Sequence, residues 1–203
     1  MRKKLFFASI LTSFFVVNSC QLNEVLKPNI IWLVLEDQSQ YFFPFYGDNT
    51  LELKNINQLL DNGLVYEGMN SPYPVCAPSR SAIITGMYPN SIGTGNQRAY
   101  SYYRAEREEH EKQLGFPFYS SKFAEQIKPF TQILRENGYY TSNNSKEDYN
   151  FKLTKEAWDD SSINASLENR DGSEPFFSVF NFGITHESQI WLRDEYELQV
   201  NPV

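Results

Sequence analysis

The sequence predicts an α/β protein built on a mostly parallel sheet. Two apolar runs, with helical patterns between them, carry that prediction. Asn29–Leu35 (NIIWLVL) is unbroken by charge, which suits a strand buried on both faces of a parallel sheet. It stops at Glu36 and Asp37, and ligands of open α/β sheets bind at the carboxyl ends of the strands. Phe176–Phe182 (FFSVFNF) is a second β-rich run. Between them, residues 53–60 and 129–137 repeat apolar side chains at helical spacing.

The N-terminus reads as an export signal and not as part of the fold. Arg2, Lys3 and Lys4 precede an apolar stretch from Leu5 to Val17, too short to span a bilayer. Val17-Asn18-Ser19-Cys20 resembles a bacterial lipoprotein cleavage box with Cys20 as the lipidated residue. A plain secretory signal cut near Ser19 is the competing reading. Residues 1–19 are therefore expected to be a signal peptide, 20–28 a tether, and 29–203 the folded part. The expected location is a bacterial cell envelope, in the periplasm or at the outer membrane as a lipoprotein. The only cysteines are Cys20 and Cys76, which leaves no expected disulfide. The formal charge is -7 and becomes three units more negative without the leader's basic residues. That balance argues against nucleic acid as a partner and leaves local cations to bind any anionic ligand.

The remaining elements follow in order. Tyr41–Gly47 is an aromatic loop. Leu53, Ile56, Leu59 and Leu60 mark a helix that stops at Asn62-Gly63, and Leu64–Tyr66 is expected to start a short strand. A helix after Pro78 carries Ile83 and Ile84 inward and ends near Gly86. Arg104–Gln113 is a charged, solvated helix in which His110 faces solvent. Pro129–Asn137 is a helix with Pro in its first turn and Gly138 as its cap; Tyr139–Ser142 is a strand. Thr154–Arg170 is polar, with Trp158 its best packing residue.

Cys76-Ala77-Pro78-Ser79-Arg80, followed by four residues and Thr85-Gly86, resembles the signature of the sulfatase family at every fixed position. The resemblance implies an alkaline-phosphatase-like three-layer sandwich, incomplete at its C-terminal end, since sulfatases are usually much longer. It implies that Cys76 is oxidised to formylglycine by a maturation enzyme. In the family the hydrated aldehyde attacks sulfur with one hydroxyl and expels sulfate through the other, covalent catalysis in two easier steps. A half-buried free cysteine before a helix is the plainer reading of Cys76 alone.

The resemblance extends to the other candidates. The family places two acidic metal ligands after its first strand, here Glu36 and Asp37, with Glu36 where the family has an aspartate. With position 76 they would hold Ca²⁺, with Mg²⁺ as the alternative. Arg80 lies one helical turn beyond Cys76, and its guanidinium suits an oxyanion. Gly138-Tyr139-Tyr140-Thr141 matches the lead-in to the family's sulfate-binding lysine, which aligns with Lys146. Asp148 stands where the family has a histidine. His186, past the second apolar run, aligns with a histidine at the sulfate and leaving oxygen, and is the candidate general acid. The implied substrate is a sulfate ester, of a carbohydrate by analogy with sulfated polysaccharide breakdown at a bacterial envelope. A phosphodiester or phosphonate ester hydrolase of the same superfamily, and a non-catalytic envelope lipoprotein, are the rival readings. Glu36, Asp37 and position 76 fill only part of a Ca²⁺ shell, so the polypeptide alone is expected to have little activity and poor stability.

Overall fold

The computed structural model describes residues 26–97, 104–122 and 125–191. The leader, Cys20 and most of the tether lie outside the described residues. Four parallel strands form one sheet: β1 (Ile30–Leu35), β2 (Tyr140–Asn144), β3 (Asp160–Ser161) and β4 (Phe176–Phe182), in the order β1-β4-β2-β3. The helices are α1 (Lys54–Asp61), α2 (Cys76–Thr85), α3 (Arg104–Leu114) and α4 (Phe130–Glu136). In register, Ile30 faces Phe177 and Leu35 faces Phe182, so β1 and β4 finish side by side. All strands run the same way, and their carboxyl ends share one edge of the sheet.

Phe177 is the centre of the core. Its ring meets Trp32 at 4.9 Å, Phe130 at 5.1 Å and Trp158 at 6.2 Å between centroids. Such edge and stacked contacts add to the apolar area that each ring buries. Ile84 of α2, Val179, Phe151, Leu153 and Ala157 complete the buried cluster. Packing of α2 on this core fixes the helix that begins at Cys76.

Four expectations are corrected. β1 is an edge strand and is not buried on both faces: Ile31 and Leu33 are exposed, because no described element covers that face. Ile84 points into the core, but Ile83, one residue earlier and so about 100° around the helix, is half exposed. Residues 64–66 form no strand; Leu64 and Tyr66 are exposed and no described strand pairs with them. His110 is intermediate in exposure on α3 rather than fully solvent-facing.

Candidate active site

Helix α2 shows why its motif has those residue types. Val75 is extended, and the chain turns helical at Cys76. Pro78 falls in the first turn, where its missing N–H has no helical acceptor to lose. The Ser79 hydroxyl lies 2.8 Å from that of Ser71 and ties the incoming loop to the helix. Thr85 donates its hydroxyl to the Ser81 carbonyl at 2.6 Å, and Gly86 ends the helix at φ +67, donating its N–H to the Ala82 carbonyl. A left-handed cap of this kind favours glycine. The Thr-Gly pair therefore terminates the helix, and the Cys-x-Pro-Ser-Arg segment begins it at the sheet edge.

The carboxyl ends of β1, β2 and β4 deliver the other groups. Asp37, with φ +56, follows β1 and lies 3.7 Å from the Cys76 sulfur through Oδ1. Its Oδ2 accepts the Glu187 N–H at 2.9 Å and lies 3.8 Å from His186 Nε2. Glu36 is buried and accepts from Lys146 Nζ, with Arg80 Nε at 3.8 Å from the same oxygen. Lys146 also pairs with the buried Asp148, whose Oδ2 is 3.4 Å away. Arg80 donates to Asn181 Oδ1 at 2.9 Å and to the Lys146 carbonyl at 3.2 Å. Two cations thus share one carboxylate within a buried network, where each charge has a partner.

His186 has a defined orientation. Its Nδ1 accepts the Ser188 N–H at 3.1 Å, so the neutral ring carries its proton on Nε2, toward Asp37. The Ser188 hydroxyl, 2.7 Å from Nδ1, can accept from that nitrogen when the ring is doubly protonated. Burial pushes the Cys76 thiol up to about 11; Lys146 opposes the rise, and Asp37 and Glu36 add to it. An unmodified Cys76 is therefore a protonated thiol at neutral pH and a poor nucleophile.

All six sequence candidates outside the leader, Glu36, Asp37, Cys76, Arg80, Lys146 and His186, meet at this edge. Asn181 joins them without having been singled out. Its Oδ1 holds Arg80, and its Nδ2 donates to Asn143 Oδ1 at 2.9 Å and to the Asn144 carbonyl at 3.3 Å. The signal was there: it is the lone amide in a strand that is otherwise apolar but for Ser178.

The donor set can hold one side of a hard divalent cation. Glu36, Cys76 and His186 each offer one ligand atom, all within 4.8 Å of one another, with Asp37 beside them. Two carboxylates, with an oxygen in place of the Cys76 sulfur, fit one side of an oxygen-rich site.

A parallel α/β sheet with this edge places the chain in the alkaline-phosphatase-like fold. A structure solved in complex with its substrate D-glucosamine-2-N,6-O-disulfate superposes with a TM-score of 0.58 at 18% identity, covering 80% of this chain and 35% of that one. Ps i-CgsB in complex with k-i-k-neocarrahexaose gives a TM-score of 0.58 at 16% identity, covering 87% of this chain and 49% of the other. The family model Sulfatase matches residues 28–201, and the chain belongs to the sulfatase family. An ulvan-active sulfatase of Formosa agariphila is 43% identical over 165 residues, 81% of this chain and 26% of the relative. Human arylsulfatase D is 30% identical over 115 residues, 57% of this chain and 18% of the relative. The chain spans about a quarter or less of the length of these curated relatives.

Proposed function

We propose that this site hydrolyses sulfuric esters of carbohydrates, with Cys76 matured to formylglycine. The observation that carries the proposal is the meeting of position 76, Arg80, Lys146 and His186 around two carboxylates at one sheet edge. The substrate class is supported by relatives named for ulvan and by a fold neighbour bound to a sulfated glucosamine.

In this reading Arg80 and Lys146 bind the sulfate oxygens and stabilise the charge that develops on them. Glu36 and Asp37, with position 76, would hold Ca²⁺ or, alternatively, Mg²⁺. The ion supplies Lewis-acid polarisation of the sulfate when bound. One hydroxyl of the hydrated aldehyde at position 76 loses its proton and attacks sulfur; the new S–O bond forms as the S–O bond to the alcohol breaks, and deprotonation of the other hydroxyl then expels sulfate and restores the aldehyde. His186 gives its Nε2 proton to the departing alcohol oxygen, and Ser188 holds the ring in place. Asn181 keeps Arg80 aimed at the sulfate. A maturation enzyme is the implied partner. Residues 1–19 as signal peptide, 20–28 as tether and lipid at Cys20 place the site at a bacterial envelope in the same proposal.

The test couples two measurements on the longest product the gene encodes, made alongside a formylglycine-generating enzyme. Peptide mass spectrometry should find position 76 without sulfur and carrying an aldehyde, and aryl sulfate should be turned over faster than aryl phosphate. An aldehyde with no sulfate turnover, or a preference for phosphate, would overturn the proposal.

A further inference from the structure

Two cavities meet at this site, and they differ in character. One of about 320 Å³ is lined largely by apolar side chains, among them Trp32, Val34, Ile83 and Phe130, and it reaches Cys76. The other, of about 210 Å³, is lined by Ser145, Lys146, His186, Ser188 and Gln189. Glu36 and Asn181 belong to the walls of both. Cys76 faces the first and not the second; His186 faces the second and not the first.

Displacement at sulfur places the entering and departing oxygens in line, on opposite sides of the reacting atom. Position 76 is the entering side. The departing side must lie within reach of the proton donor, which lines the polar cavity. We infer that the polar recess is the subsite for the alcohol part of the ester, and that Ser145 and Gln189 recognise its hydroxyl groups. This rests on His186 as the acid of the proposed hydrolysis.

The chemistry of the wall selects the class of alcohol. A hydroxyl at Ser145 and an amide at Gln189 supply both donors and acceptors. A sugar ring meets them with hydroxyls. An aryl or other apolar alcohol would desolvate them without return, which is how a polar subsite rejects an apolar analogue. Gln189 is partly buried, and its backbone N–H donates to the His186 carbonyl at 3.0 Å. The amide that reads the alcohol is thus carried on the same short turn as the group that protonates it.

The inference is tested with a hexosamine 6-sulfate and 4-nitrophenyl sulfate, using the matured full-length product. Gln189→Ala should raise KM for the sugar ester about tenfold more than for the aryl ester, the scale of one lost hydrogen bond. Ile83→Ser, on the wall of the apolar cavity, should change that ratio by less than about twofold. An unchanged ratio in Gln189→Ala, or a larger change in Ile83→Ser, would overturn the inference. If neither ester is turned over, the hydrolase reading fails separately, and calorimetric titration of the sugar sulfate decides this one. Weaker binding by Gln189→Ala then supports the subsite; equal binding, or none by the parent protein, overturns it.

Discussion

Removing the Asn181 side chain should destabilise the protein by about 3 kcal/mol, by the following account. Asn181→Ala deletes the acceptor that Arg80 meets at 2.9 Å, a bond to a charged donor of the kind that contributes about 1.5–3 kcal/mol. It also deletes the donor that Asn143 Oδ1 meets at 2.9 Å, and Asn143 is fully buried, so an unpaired oxygen there costs about 1–3 kcal/mol. Arg80 retains the Lys146 carbonyl and Glu36, which holds the total below the simple sum. For a chain of this size the loss corresponds to roughly 6–12 °C in melting temperature. Thermal or urea unfolding followed by the fluorescence of the buried Trp158 measures it. Asn181→Leu separates hydrogen bonding from volume: it fills the space but offers no amide, and should be as damaging as Asn181→Ala. A loss below about 1 kcal/mol in the alanine variant, or recovery in the leucine variant, would refute the reasoning.

Alkylation of unmodified Cys76 by iodoacetamide should be slow at neutral pH and keep rising toward pH about 11; a plateau at the ordinary thiol value of 9.0 would contradict the burial argument. Because the folded-state pKa is the higher one, this thiol's contribution to stability is intact at neutral pH and is lost as pH climbs from 9.0 toward about 11. Ca²⁺ titrated into the chain alone should bind with a Kd of roughly 0.1–1 mM, since the described residues supply few oxygens; a sharp, strongly calcium-raised melt would count against this. Lys146→Met should cost about 3–5 kcal/mol by taking from the buried Asp148 and Glu36 the ammonium that both meet, with Arg80 remaining beside Glu36, and adding Glu36→Gln should recover part of that loss in chemical denaturation. Glu36→Asp and Asp148→His should couple by more than about 0.5 kcal/mol in a double-mutant cycle on unfolding; additivity within that margin would separate them.

What the sequence made legible was local or periodic. Cys76–Gly86 states its own helix: the proline fits only the first turn, and Thr85 and Gly86 close the last. Phe176–Phe182 is a strand over the whole range its apolar run marks out. The parallel edge then brings Glu36, Asp37, Lys146 and His186 together, because each follows a strand. What was not legible depends on distant packing. The apolar run of β1 says that both faces avoid water, yet it cannot say which layer covers them, and Ile31 and Leu33 are exposed. Ile83 and Ile84 are equivalent in composition, and only the placement of α2 on Phe177 and Val179 separates them. Asn181 was visible as an amide in an apolar strand, but its three partners lie on α2 and β2.

The two departures from the family pattern, Glu36 for aspartate and Asp148 for histidine, meet on one ammonium group. Lys146 Nζ contacts Glu36 Oε1 and lies 3.4 Å from Asp148 Oδ2. The glutamate carboxylate meets the lysine directly, and the aspartate supplies a second carboxylate to the same ammonium. Glutamate keeps the charge of aspartate, so Asp148 is the change that adds a buried carboxylate, and Lys146 is the cation that meets it. Together they hold Lys146 between two anions, with Arg80 sharing Glu36 from the side of α2. Asp148 has φ +47, a backbone state that aspartate tolerates better than most residues, and the loop that carries it also carries Lys146. Asp148 thus acts on the position of the lysine. Arg80 and Lys146 are each held by a contact away from position 148, Arg80 through Asn181 and Lys146 through Glu36.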